Sequence, residues 1–77
     1  MTDIASKAWE IIQSEYDRLI NEGVDSTNAR DLMGKDAFDL EAFSSWKPSD
    51  IQKAKNELLT YGFIEKNVLG EYRLPDE

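Results

Sequence analysis

The first third of the chain carries apolar residues at intervals of three and four, which is the spacing of one face of an α-helix. These residues are Ala5, Ala8, Trp9, Ile12, Tyr16, Leu19 and Ile20. Thr2 or Asp3 can cap the start of the helix, and Gly23 can end it, because glycine adopts the left-handed conformation that follows many helices. The pattern predicts a long first helix over residues 3–21, with its two aromatic residues in the core.

The middle of the chain predicts two shorter helices. Between residues 24 and 35, Asp25 and the two hydroxyl residues after it can cap a short helix that Gly34 would stop. Residues 36–45 predict a second short helix, whose phenylalanine, leucine and alanine side chains are available for burial. Trp46 follows in a turn, and we expect it to pack in the core between this helix and the next one. The alternative is an exposed aromatic anchor for a partner.

The last third of the chain predicts a helix with well-marked ends. Pro48 suits the first turn of a helix, where its missing N–H is not needed. Ser49 and Gln52 have the spacing of a capping box, in which each side chain bonds a free backbone N–H of the first turn. The helix should extend to Tyr61 and end at Gly62. Its predicted buried face consists of Ile51, Ala54, Leu58 and Tyr61, with Leu59 beside it.

A β-hairpin is predicted to follow this helix. Residues 63–66 and 71–74 alternate apolar and charged side chains, as two half-buried strands do. Asn67 and Gly70 lie in the turn between them and can adopt positive φ. Because a lone hairpin is marginally stable in water, we expect this one to pack on the helices. The side chains predicted to face the helices are Ile64, Tyr72 and Leu74.

These elements predict a mostly helical α+β fold with three to four helices and a C-terminal β-hairpin, in a single domain spanning residues 1–77. The chain contains no cysteine and no histidine, so disulfides, thiolate metal sites and histidine-based catalysis are excluded. It also lacks a phosphate-binding glycine loop and an activated nucleophile. We therefore expect no enzyme activity, no catalytic residues, no cofactor and no metal.

Hydropathy indicates where in the cell the protein is expected, and charge indicates which partners it can bind. No apolar segment approaches the ~20 residues that span a bilayer, and the first residues lack the features of a signal peptide, so we expect a cytoplasmic protein without membrane contact. The formal net charge of −7 argues against tight, nonspecific binding to a polyanion. The charge is uneven, because residues 1–46 carry ten acidic and four basic side chains, whereas residues 47–74 carry four acidic and five basic ones.

The order of signals over residues 39–74 resembles the winged helix-turn-helix fold of DNA-binding proteins. Residues 40–43 (Leu-Glu-Ala-Phe) resemble the support helix of the motif, and residues 50–61 resemble its second helix. Residues 61–64 (Tyr-Gly-Phe-Ile) are similar to the step by which many such regulators enter the wing, and residues 70–74 are similar to the strand that closes it. The resemblance is to a fold pattern and not to one named family. Winged-helix proteins sometimes also carry a short strand before the support helix.

The resemblance implies a small transcriptional regulator that binds DNA. It would bring Ser49, Gln52, Lys53 and Asn56 to the major groove, and Lys66 and Arg73 of the wing to phosphates or the minor groove. For Lys53 and Asn56, a solvated helix face is an equally good interpretation. For the two wing cations, cross-strand pairing with Glu65 or Glu71 is the simpler interpretation. Because a single acidic DNA-binding protomer would bind weakly, we expect a homodimer.

Val68 and Leu69 occupy the tip of the predicted hairpin, where polar residues are usual. We expect them to contact a second subunit, a partner protein or the body of the domain; the first helix is the other candidate dimer surface. An alternative function is an acidic interaction module or inhibitor on the same fold, whose carboxylates imitate DNA phosphates and bind a basic partner protein. Small acidic proteins encoded by phages often look like this chain, so a phage or mobile-element origin is part of the expectation. A purely structural module is the third interpretation.

Overall fold

The computed structural model describes residues 1–76, which form three α-helices followed by a two-stranded antiparallel hairpin. The α-helices are α1 (Asp3–Asn21), α2 (Ser26–Arg30) and α3 (Pro48–Thr60), and the strands are β1 (Glu65–Lys66) and β2 (Tyr72–Arg73). Single 3₁₀ turns lie between α2 and α3 at Leu32–Gly34, Ala37–Asp39 and Glu41–Phe43. The predicted α+β class, mostly helical with a C-terminal hairpin, is confirmed.

Helix α1 has the bounds and caps that the sequence predicts. The hydroxyl of Thr2 accepts the backbone N–H of Ala5 at 3.3 Å. Gly23 follows the helix with a φ of +92°, which a residue with a side chain adopts only at a cost. Trp9 and Tyr16 are half-buried and pack against the edge of the core rather than at its centre.

The core lies between α1 and α3, and the hairpin closes it at one side. Its buried side chains include Ala5, Ala8, Ile12 and Leu19 of α1, Ala54 and Leu58 of α3, and Ile64 and Leu74 of the hairpin region. The N–H of Leu74 donates to the carbonyl oxygen of Arg30 at 3.0 Å, so the end of the hairpin is bonded to the end of α2. The helices thereby support a hairpin that would be marginal alone.

The segment after α2 differs from the helix predicted there. Asp25 caps α2 as expected by accepting the N–H of Asn28 at 3.2 Å. Helix α2 ends at Arg30, however, and Leu32 and Met33 adopt left-handed φ values of 52° and 57°. This conformation is costly for residues other than glycine. Because Leu32 is only 1% exposed, the burial of its side chain offsets part of that cost, whereas Met33 is left at the surface.

Residues 36–45 form two 3₁₀ turns instead of the predicted α-helix. The carboxylate of Asp36 accepts the N–H of Phe38 at 2.8 Å, and an extended ψ of 142° at Leu40 separates the two turns. Phe38 and Phe43 are both buried, with their ring centroids 5.1 Å apart. A segment this short gains little from helix propagation, so the packing of the two rings determines its backbone.

Helix α3 begins two residues earlier than a capping box at Ser49 would place it. Lys47 is the cap and Pro48 is the first helical residue, so Ser49 lies inside the first turn and caps nothing. Gln52 bonds to Asn56 instead of to the start of the helix. The predicted capping box is therefore wrong, because proline in the first helical position fixes the start of the helix upstream of the serine.

The end of α3 leads directly into the hairpin. The N–H of Phe63 donates to the carbonyl oxygen of Leu58 at 2.9 Å, and Gly62 between them has a φ of +76°. This is a Schellman motif, and glycine supplies its left-handed residue. Tyr61 is the cap beyond the last turn and is 58% exposed, so its predicted place on the buried face is wrong.

Candidate nucleic-acid interface

Helix α3 presents a polar strip to solvent, made of Ser49, Gln52, Lys53 and Asn56. All four side chains are exposed, and their spacing of three and four residues puts them on one side of the helix. Nε2 of Gln52 donates to Oδ1 of Asn56 at 2.9 Å. This bond uses one polar atom of each amide and leaves the carbonyl oxygen of Gln52 and the amino group of Asn56 available to other partners. The structure thus brings the four α3 residues predicted from the sequence to one surface.

The carboxylate of Glu57 lies beside the polar strip and is hydrogen-bonded to Thr2, at the start of the chain. Glu57 accepts the backbone N–H of Thr2 at Oε1, at 3.0 Å, and the Thr2 hydroxyl at Oε2. Thr2 is also the cap of α1, so the carboxylate lies at the N-terminal end of that helix, where the partial positive charge of the helix favours an anion. The sequence gives no signal of this contact, because periodicity relates only near neighbours and these residues are 55 positions apart.

The ionisation of Glu57 reflects this contact. The hydrogen bonds from Thr2, first from its hydroxyl and then from its N–H, hold the pKa of Glu57 below its ordinary value of 4.5. Lys53, one turn earlier in α3, acts in the same direction by Coulomb attraction. The carboxylate is therefore ionised throughout the neutral and mildly acidic range.

We expect this contact to contribute to the acid sensitivity of the fold. Because the pKa of Glu57 is lower in the folded than in the unfolded chain, its contribution is complete above about pH 4.5 and is lost as the pH falls through the folded value. Thermal unfolding of the wild type and of Glu57→Gln, followed by circular dichroism from about pH 7 to about pH 3, tests this. The wild type should have the higher Tm at neutral pH, and the difference should vanish in acid. A difference that does not change with pH would contradict the assignment.

Arg73 of the hairpin is enclosed by carboxylates. Its Nη2 lies 3.2 Å from Asp76, and its Nε lies 3.7 Å from Glu65 and 4.0 Å from Asp31, with only 18% of the side chain exposed. Glu65 is its direct partner across the two strands, so the predicted cross-strand pairing of this arginine is confirmed. Arg73 would have to leave these partners before it could contact a phosphate.

Lys66 lies beside a tyrosine ring and not beside the glutamate that the sequence predicts. It lies opposite Tyr72 in the hairpin, not opposite a glutamate. Its ammonium is 5.8 Å from the centroid of the Tyr72 ring, and the ammonium of Lys55 on α3 is 4.7 Å from the same centroid. The expected pairing of Lys66 with a glutamate is wrong, because the register places a ring beside it, which attracts the cation by its quadrupole. Lys66 itself remains exposed.

The hairpin tip projects two aliphatic side chains into solvent. Val68 is 102% exposed and Leu69 is 80% exposed. Oδ1 of Asn67 accepts the N–H groups of Leu69 and Glu71, each at 2.9 Å, and Gly70 has a φ of +83°, so the turn is well bonded. The body of the domain does not cover the tip. Of the three contacts expected from the sequence, a second subunit and a partner protein remain.

An open groove of about 1180 Å³ lies on another part of the surface, between α1 and residues 39–46. Its apolar lining consists of Ile11, Leu40, Ala42 and Trp46, and charged residues of both signs also line it. The ring of Trp46 packs edge-to-face on the buried Phe43, with centroids 5.0 Å apart, but Trp46 is only partly buried, so it lies at the edge of the core and not inside it as predicted. The groove shares no residue with the polar strip of α3, so the two surfaces are independent.

Within the part of the chain that the structure describes, no helix combines the length and the apolar character needed to cross a membrane. Comparisons of the chain with protein-family models, with curated proteins and with solved structures found no match.

Proposed function

We propose that this protein is a small DNA-binding regulator with a winged helix-like fold, and that α3 and the hairpin form its DNA-binding surface. The observation that carries the proposal is the exposed polar strip of α3, directly followed through Gly62 by a β-hairpin. Gln52 retains a free acceptor and Asn56 a free donor, the two groups that the edge of adenine requires in the major groove. Lys53 adds a cation that can contact a phosphate or guanine.

The arrangement of the hairpin supports a winged-helix interpretation. The bond from Leu74 to Arg30 puts the end of the hairpin beside the end of α2, just before the segment where winged-helix proteins sometimes carry a further strand. The support helix differs from the winged-helix pattern: residues 40–43, where it is expected, contain only a single 3₁₀ turn. The interpretation therefore depends on the order of the elements and on α3, rather than on two equal helices.

Electrostatics indicates how such a protein would bind. With a net charge of −7 and with Arg73 enclosed by carboxylates, one protomer has few cations to offer DNA. Moderate affinity with a shallow salt dependence is expected for one protomer. Two protomers on one duplex would join their affinities and double the length of the site. The uncovered Val68 and Leu69 are the proposed contact between them.

The test is a selection from a random DNA pool, followed by fluorescence anisotropy on the enriched duplex at low and moderate salt. We expect the wild type to enrich one sequence and to bind it with two protomers per duplex. Lys53→Ala combined with Asn56→Ala should abolish selectivity, a loss of roughly 2–4 kcal/mol in discrimination, and should leave the thermal melt nearly unchanged because both side chains are exposed. Selectivity that survives this double change would disprove the role of α3.

A second candidate function is an acidic module that binds a protein and not DNA. The enclosure of Arg73 and the full exposure of Val68 favour it, because the first removes a wing cation and the second offers an apolar contact. The anisotropy experiment separates the two functions. An interaction module should show no selective, salt-dependent binding to DNA in the wild type or in the α3 variant.

A further inference from the structure

Lys53 and Glu57 have the spacing at which a helix ordinarily pairs opposite charges. Side chains four residues apart are neighbours on the surface of a helix, and a lysine and a glutamate in these positions attract each other. Among the described residues, however, no ion pair includes Lys53. Its ammonium therefore lacks the partner that its own helix would supply.

Thr2 accounts for this missing pair. Both oxygens of the Glu57 carboxylate accept hydrogen bonds from Thr2, one from the backbone N–H at 3.0 Å and the other from the hydroxyl. Thr2 is itself fixed by the start of α1, because its carbonyl oxygen accepts the N–H of Ser6 at 3.0 Å and its hydroxyl caps Ala5. The carboxylate is thus held toward α1, on the flank of the polar strip.

We propose that Thr2 is a positioning residue for DNA binding: by holding the Glu57 carboxylate, it keeps the Lys53 ammonium unpaired and available to DNA. The inference rests on the proposed function, since Lys53 matters to DNA only if α3 contacts DNA. It also explains how a glutamate one turn from the central lysine is compatible with a phosphate-binding surface. The negative charge is retained, but it is compensated mainly by the donors at the start of α1 and not by a direct ion pair with the lysine.

Thr2→Pro is the variant that removes the contact with least disturbance of the backbone. The φ of Thr2 is −68°, which proline adopts without strain, and proline has neither the N–H nor the hydroxyl that holds Glu57. The carbonyl oxygen that accepts from Ser6 is retained. Thr2→Ser is the matched control, because serine keeps both donors and the cap.

On the enriched duplex, we expect Thr2→Pro to weaken binding about threefold to tenfold and to lower the salt slope by about 0.9, as expected for the loss of one phosphate contact. Thr2→Ser should bind like the wild type. Thr2→Pro combined with Glu57→Gln should regain the affinity, because no carboxylate then remains to pair with Lys53. A purely structural effect of the proline would not be rescued by a change on α3.

A second measurement does not depend on DNA. In the wild type, the Tm changes of Lys53→Ala and Glu57→Gln should nearly add, because the two side chains form no direct ion pair and only a weak Coulomb attraction links them. In the Thr2→Pro background they should couple by about 2 °C, the size expected of a helical pair at this spacing. Equal coupling in both backgrounds, unchanged DNA affinity in Thr2→Pro, or no rescue by Glu57→Gln would overturn the inference. Absence of DNA binding in the wild type itself would instead disprove the proposed function.

Discussion

Leu58→Ala should lower the Tm by roughly 15 °C, whereas Leu69→Ala should leave it nearly unchanged. Leu58 is fully buried between α3 and α1, and Leu69 is 80% exposed at the hairpin tip. Truncating a buried leucine costs about 2–5 kcal/mol, because apolar contacts are lost and a cavity remains. A domain of this size has a total stability of only about 4–12 kcal/mol. The same substitution should therefore be strongly destabilising at Leu58 and nearly neutral at Leu69.

The measurement is thermal unfolding of the two variants and the wild type under identical conditions, with near- and far-ultraviolet circular dichroism. Coincident transitions in both spectral regions would show that the domain unfolds as one unit. Equal shifts for the two leucine variants would contradict the core described for α1 and α3, and so would a larger shift for Leu69→Ala.

The second large effect is expected from Phe43→Ala. Phe43 is 2% exposed, and its ring lies 5.1 Å from the ring of Phe38 and 5.0 Å from that of Trp46. The segment between α2 and α3 has no regular helix of its own, so these rings hold it against the core. We expect a loss of about 3–5 kcal/mol, which is a large share of the total stability of the domain. The fluorescence of Trp46 should change with it.

Phe63→Ala is the matched control for this variant. Phe63 is 37% exposed and stacks on Trp9 at the surface, with ring centroids 5.0 Å apart. Its truncation should lower the free energy of unfolding clearly less than that of Phe43, because part of the Phe63 ring is already in contact with water. If Phe43→Ala were no more destabilising than Phe63→Ala, the packing described for residues 36–45 would be wrong.

Local signals in the sequence predict the parts of this fold that depend on near neighbours. The bounds of α1 are predicted by its apolar periodicity, by Thr2 at its start and by Gly23 after its end. The passage from α3 into the hairpin is predicted by Gly62 and by the alternation of apolar and charged residues that follows it. Each of these features is decided within about one helical turn by caps and glycine conformations. Local signals can still mislead, because the sequence predicts Ser49 as the cap of α3, whereas Pro48, one residue earlier, is the first residue of the helix.

Features that depend on distant contacts could not be predicted in this way. The 3₁₀ turns of residues 36–45 result from the burial of two phenylalanine rings, and the left-handed Leu32 is offset by its own burial. For the candidate site, the sequence identified the exposed face of α3, but not that Thr2 holds Glu57. These arrangements are set by tertiary packing, which propensity and periodicity do not contain.

The most direct test of DNA binding by α3 and the hairpin is a heteronuclear NMR titration of the labelled protein with the enriched duplex. We expect the amide shifts to concentrate in α3 and the hairpin, with Gln52, Lys53 and Asn56 at their centre, and the shifts on the groove side of α1 to be small. Shifts centred on that groove, or no shifts with any enriched duplex, would contradict the account.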